Sequence, residues 1–190
     1  MVVLNKIYTR TGDDGTTALG SGERRAKHDL RVAAYGTVDE TNATLGLVRL
    51  HLSGLPDLDA TMARIQNDLF DLGADLATPE AEEPLPYEPL RITDEQVKRL
   101  EAEIDRLNGD LEPLRSFVLP AGSAAAAHLH LARTVARRAE RLMSELVGHE
   151  KINGAALRYA NRLSDFLFVA ARWVNAQGDG DVLWVPGKNR

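Results

Sequence analysis

Near the N-terminus the string TRTGDDGTT, Thr9 to Thr17, combines residue types that suit a phosphate-bearing ligand. Gly12 and Gly15 allow close backbone approach, the threonine hydroxyls can donate, and Arg10 adds positive charge. No GKS or GKT follows, so this is no Walker A loop, and no strand and helix flank it as in a dinucleotide fingerprint. By itself the string fits a turn-rich polar arm equally well.

A second string, ARTVARRAER from Ala132 to Arg141, falls in a helical pattern. At about 100° per residue from Ala132, Glu140, Arg133 and Arg137 fall near 80°, 100° and 140°, one stripe flanking the core face. Arg141 sits near 180° and Arg138 near 240°, so Arg137 and Arg141 can present two planar guanidiniums to one triphosphate with Glu140 alongside. A solvated face of i,i+4 pairs is the alternative reading of the same residues.

The third string, NRLSDFLF from Asn161 to Phe168, puts Asn161, Asp165 and Phe168 along one helix face. Asn161 can read a nucleotide edge or ribose, and Phe168 can cover a flat ligand; Asp165 can equally pair with Arg162 or an arginine of a neighbouring helix. Asp39 and Glu40 are adjacent and point to different faces, which suits a salt bridge for Asp39 rather than an acid/base dyad. His128 and His130 are two apart on a helix, on roughly opposite faces, which excludes the HExxH zinc geometry. No cysteine is present, so thiol chemistry, disulfides and thiolate-bound zinc are excluded.

The elements that must position these residues are helical. Apolar positions recur at three- and four-residue steps over about 29–52, 58–76, 93–108, 123–147 and 154–176. Gly54 and Pro56 end the first, and Thr93 with Gln96 forms a capping box at the start of the third. PEAEEPLPYEP, too rich in proline for a helix, is a surface connection. Only VVLNKIY at the start and VLWV near the end read as strands. The expected fold is all-α: a single domain of 1–190, with an N-terminal segment 1–26, a five-helix bundle over 27–176 and a tail 177–190.

With 190 residues, 44% hydrophobic and 5% aromatic, the chain packs on Ala and Leu, and its net charge of -5 argues against a nucleic-acid coat. The total conceals a basic wall: between Arg133 and Arg172 eight basic side chains face four acidic ones. No apolar run approaches the roughly 20 residues of a membrane span and no signal peptide is visible, so a cytoplasmic protein is expected.

TRTGDDGTT, GERRAK, FVLPAG, ARTVARRAER and NRLSDFLF, in this order and at these separations, resemble the PduO-type ATP:cobalamin adenosyltransferases, from Tyr8 to about Trp173. The resemblance implies a homotrimer of five-helix bundles with active sites between subunits. It also implies transfer of the 5'-deoxyadenosyl group of ATP to the cobalt of cob(I)alamin, with release of triphosphate. The attacking atom is then reduced cobalt, and the protein needs no nucleophile of its own.

Carried over position by position, the resemblance places Thr9, Arg10, Thr11, Gly12, Thr17 and Lys27 in the N-terminal half of the ATP site. Arg137, Arg138, Ala139, Glu140, Arg141 and Asn161 form its helical half. Arg133, Arg137 and Asp39 take the catalytic roles, Arg133 pairing with Asp39 across the subunit interface. Phe117 and Phe168 face cobalamin and exclude a lower axial ligand, giving four-coordinate cobalt. Mg2+ is implied with the triphosphate, no protein residue being assigned to it, and a flavin-type reductase and an adenosylcobalamin-dependent enzyme are implied partners. The chain reads LPAG where the family more often has LPGG, so Ala121 would strain the Phe117 loop if that position needs positive φ. A non-catalytic nucleotide or corrinoid carrier with the same bundle is the alternative reading.

Overall fold

Asp29 opens the bundle. Its carboxylate accepts from the Arg31 backbone N–H, capping helix α1 (Leu30–Arg49). The structure, a computed structural model, describes residues 7–80 and 87–190. Four further helices follow: α2 (Pro56–Ala77), α3 (Asp94–Asn108), α4 (Ala124–Val147) and α5 (Gly154–Ala176). The five-helix expectation holds, with α2 packed on α1, α1 on α4, α4 on α5 and α5 on α3.

The ends follow local chemistry. Ser123 and Asn153 cap α4 and α5, and Thr93 with Gln96 makes the reciprocal capping box of α3. Helix α2 begins two residues before the sequence pattern indicates: Pro56 takes the first turn, where a missing N–H costs nothing, with Asp57 and Asp59 in the same turn. Pro56 thus opens a helix as well as following one.

Alanine is frequent among the buried residues of α4 and α5. Ala125, Ala126, Ala132, Ala136 and Ala139 of α4 and Ala155, Ala156, Ala160, Ala170 and Ala171 of α5 are all buried, and such small side chains let packed helices approach closely. Tyr159 and Phe166 are the large side chains at the centre.

Two features depart from an all-helical chain. Strands β1 (Thr16–Ala18) and β2 (Arg24–Ala26) pair antiparallel, Thr17 opposite Arg25, in a segment that reads as a loop. Strands of three residues are too short to show an alternating period. The VLWV string does pair: Val118 bridges Leu183, Leu119 N–H donates to Val182 O and Trp184 N–H to Phe117 O, each at 2.8 Å. Most of VVLNKIY, and the centre of PEAEEPLPYEP, lie outside the described residues. Among the described residues no helix is long and apolar enough to cross a membrane.

The hairpin is tied to the bundle by charge. Arg25 of β2 bonds Asp29 at 3.2 Å and Glu150 of the α4–α5 connection at 2.9 Å. Arg31, only 1% exposed, donates to the same Glu150 and to the carbonyls of Leu76 and Lys151.

Candidate active site

Along one face of α4 run His130, Arg133, Arg137 and Glu140, separated by three or four residues, so successive turns present them on one side. Glu140 Oε1 accepts from Asn161 Nδ2 at 2.7 Å, which fixes the stripe to α5; Asn161 Oδ1 in turn accepts from Arg162 at 2.5 Å. Arg162 also reaches Glu101 of α3, at 2.8 Å, and Asp165 at 3.9 Å. Arg137 and Arg141 are exposed, and Arg141 Nη1 lies 3.4 Å from the Arg137 carbonyl. Arg133 is half-buried: burial, and next the charge of Arg137, pull its pKa below the ordinary guanidinium value, and its Nε has no partner.

Two members of the expected set stand apart. Arg138 turns away and pairs with Glu40 of α1, as its place near 240° anticipates. Ala139 is buried in the core, so its contribution is a small side chain beneath the stripe. Asp39 is exposed and makes no ion pair among the described residues.

The N-terminal half is held by its own network. Thr9 Oγ1 and Thr11 Oγ1 are 3.0 Å apart, and Arg24 donates to Thr11 O and Thr16 Oγ1. Arg10 adopts φ 62°, the one positive value for a non-glycine among the described residues, and its guanidinium lies 5.6 Å from the Tyr8 ring. Lys27 lies over Gly12: a Cβ there would come within 3.2 Å of Nζ. Burial raises the pKa of the Tyr35 hydroxyl, and the neighbouring Thr17 acts in the opposite direction. Asp14 is held below its usual value by the Thr16 hydroxyl and N–H. Among the described residues no hydrogen bond or ion pair joins Thr9 to Thr17, or Lys27, to the Arg133–Arg141 stripe or Asn161.

At the other end of the stripe lie the aromatics. Phe117, 76% exposed, meets Trp184 at 5.9 Å and an interplanar angle of 60°. Phe168 meets the edge of the buried His130 ring at 6.2 Å. The Phe117 loop is unstrained at Ala121; the following Gly122 takes the positive φ, 104°. A Cβ at Gly122 would overlap the Asn175 amide, which accepts from Ser123 N–H at 3.0 Å and donates to Ala121 O at 3.1 Å.

Sequence reasoning missed Asn175, Trp184 and the Arg25–Arg31–Glu150 knot, and set His130 aside once zinc was excluded. Only His130 carried a signal, since it stands one turn before Arg133. Among the described residues no cluster of three or more His, Asp or Glu suits a metal ion.

The five-helix bundle with its α4 arginine stripe has the architecture of an all-α enzyme domain whose relatives use ATP and a corrinoid. Residues 7–174 match the sequence model of the family described as cobalamin adenosyltransferase, and the chain belongs to that family. It is 51% identical over 193 residues to the corrinoid adenosyltransferase of Mycobacterium tuberculosis, covering 100% of this chain and 97% of that one. To the corrinoid adenosyltransferase of Bacillus subtilis it is 48% identical over 93% of this chain and 91% of that one. A variant PduO-type ATP:corrinoid adenosyltransferase from Lactobacillus reuteri, complexed with cobalamin and ATP, superposes with a TM-score of 0.89 at 39% identity, covering 97% and 99% of the two chains. A second variant from that organism, complexed with ATP, gives 0.85 at 38% identity, covering 94% of this chain and 100% of that one.

Proposed function

We propose that the chain transfers the 5'-deoxyadenosyl group of ATP to the cobalt of cob(I)alamin. The electron pair of Co(I) forms the Co–C5' bond, the C5'–O5' bond breaks, and triphosphate leaves with the electron pair of the broken C5'–O5' bond. The carrying observation is the exposed Arg137 and Arg141 beside the Glu140–Asn161 bond, a rigid cationic edge suited to the leaving triphosphate. Holding C5' in line with the metal is the other contribution, worth about 7 to 11 kcal/mol where alignment is good.

Among the described residues no hydrogen bond or ion pair joins the two halves of the ATP site within one chain, and neither Asp39 nor Arg133 makes an ion pair. This supports a homotrimer in which the Thr9–Thr17 segment and Asp39 of one subunit serve the stripe of the next. Phe117 and Phe168 take the corrinoid side, where an apolar face disfavours a water or base as lower ligand. The reaction calls for a reductase, of flavin type, and for an adenosylcobalamin-dependent enzyme to receive the product, in the cytoplasm where ATP is supplied.

The test is incubation with ATP and cob(II)alamin under strong reduction, watching the absorbance spectrum for adenosylcobalamin. Its appearance in step with triphosphate supports the enzyme. Binding of both ligands without turnover would make the chain a carrier and overturn this reading.

A further inference from the structure

The buried side-chain nitrogen and oxygen atoms without a partner, among the described residues, are both ring nitrogens of His130, Nε of Arg133 and Oδ1 of Asp181. Their geometry brings them to one place. His130 lies against Phe168, and Asp181 Oδ2 accepts from Arg172 Nε at 2.9 Å. Phe168 and Arg172 are four apart on α5 and share a face, so what touches one neighbours what touches the other. Arg133 stands one turn along α4 from His130, and the charges of both Arg133 and Asp181 act on the imidazole.

These orphans are chemically complementary. Arg133 Nε–H is a donor, a neutral imidazole offers one acceptor and one N–H, and Asp181 Oδ1 is an acceptor. His130 is 1% exposed, and burial comes first among the causes that lower its pKa and keep it neutral. Asp181 also immediately precedes the segment that pairs with the Phe117 loop: beyond it, Val182 O accepts from Leu119 N–H and Trp184 N–H donates to Phe117 O. Ser116 Oγ donates to Trp184 O at 2.7 Å, and Arg172 reaches Glu112 O at the loop's start.

We propose that His130 is a positioning residue that links Arg133 to Asp181 as Arg133 Nε–H to imidazole nitrogen and imidazole N–H to Oδ1, and so fixes Phe117 on the corrinoid side when the site is filled. The ATP-side stripe and the aromatic end then share one hydrogen-bonded chain, and Phe117 is set by a residue that touches neither substrate. The inference rests on the adenosyltransferase reading for its catalytic readout, but the tail's protection does not.

The experiment compares full-length wild type with His130→Leu, which keeps the volume and removes both bonds, and His130→Gln, which keeps a donor and an acceptor. Asp181→Ala, at the start of the tail and outside the helical core, serves should His130→Leu fail to fold. Each is read by amide hydrogen exchange of 116–122 and 181–185 with and without ATP, by ATP affinity, and by the electron paramagnetic resonance signal of four-coordinate cob(II)alamin. His130→Leu and Asp181→Ala should lose about fivefold or more of the four-coordinate fraction and of tail protection, with ATP affinity within about twofold, and His130→Gln should recover much of both. Unchanged protection in His130→Leu overturns the proposal, as does a His130→Gln variant as impaired as His130→Leu, since packing alone would then explain the residue. A wild type that gives no four-coordinate signal and no adenosylcobalamin refutes the function reading instead, and the exchange data still decide the link.

Discussion

Arg31, buried at the end of the bundle, donates from Nε to Glu150 Oε2 at 2.9 Å, and the same carboxylate holds Arg25 of the N-terminal hairpin. One glutamate in the α4–α5 connection thus ties the candidate ATP loop to the core. Glu150→Ala would leave the Arg31 charge buried against only two carbonyls, which costs about 3 kcal/mol or more. Urea denaturation should show that loss, and ATP should bind more weakly as the hairpin loosens. A loss under about 1 kcal/mol would mean that Arg31 is satisfied without it.

Acid should unfold the chain through two identified groups. Burial raises Glu150, but the hydrogen bonds from Arg25 and Arg31 outweigh it and hold the carboxyl below its ordinary value of 4.5. His130 is lowered from 6.5, by burial first and Arg133 next. In both cases the unfolded state binds the proton more readily, so the stabilisation is complete above the unfolded pKa and is lost as pH falls through the folded one. Denaturation midpoints should hold from pH 8 to about 7, decline as His130 begins to favour the unfolded state, and decline again below about 4.5. His130→Gln should abolish the first decline and leave the second.

Gly122, not Ala121, is the glycine that the Phe117 loop requires. Gly122→Ala forces a side chain into φ 104° and into the Asn175 amide, at a cost of about 1 to 3 kcal/mol in strain alone. Ala121→Gly should change the melting temperature little. If Gly122→Ala melts with wild type, the Asn175 clip is not what shapes the loop.

The helices were legible because their signals are local. Three- and four-residue apolar steps and the Thr93–Gln96 box depend on neighbours in sequence. The α4 stripe was legible for the same reason, since a helix fixes the angle between Arg133 and Arg137. Asn175, Trp184 and Glu150 were not, because each acts through partners 52 to 125 residues away, and no spacing rule reaches that far. His130 lay between the two cases: its position on the stripe was visible, its burial and its neighbour Asp181 were not.

Asp39 offers an oligomer test. Among the described residues it is exposed and, like the half-buried Arg133, makes no ion pair. Asp39→Asn should weaken the contact between subunits, so sedimentation velocity at low micromolar concentration should show the trimer giving way to smaller species. A variant that stays trimeric but loses rate would keep Asp39 at the site and remove it from assembly. A chain that is monomeric as wild type would break the inter-subunit reading altogether.

Arg137 and Arg138 are adjacent in sequence and separate two explanations of the basic wall. Were the wall only a cationic field, either arginine could be removed at similar cost, since both are exposed and charge acts over about 10 Å at ordinary salt. The structure makes them unequal. Arg138 is paired with Glu40 on the α1 side, whereas Arg137 stands on the Glu140–Asn161 face and its guanidinium makes no hydrogen bond or ion pair among the described residues. Arg137→Ala should therefore lower the adenosylation rate about 10²- to 10³-fold, the usual loss of one donor aimed at developing charge. Arg137→Lys should recover only part of it, because an ammonium restores the charge and not the planar fork. Arg138→Ala, breaking an exposed pair worth less than about 1 kcal/mol, should cost little in rate or stability. Single-turnover rates at saturating ATP decide between them, and equal losses at the two positions would sink the assignment of the leaving-group contact to Arg137.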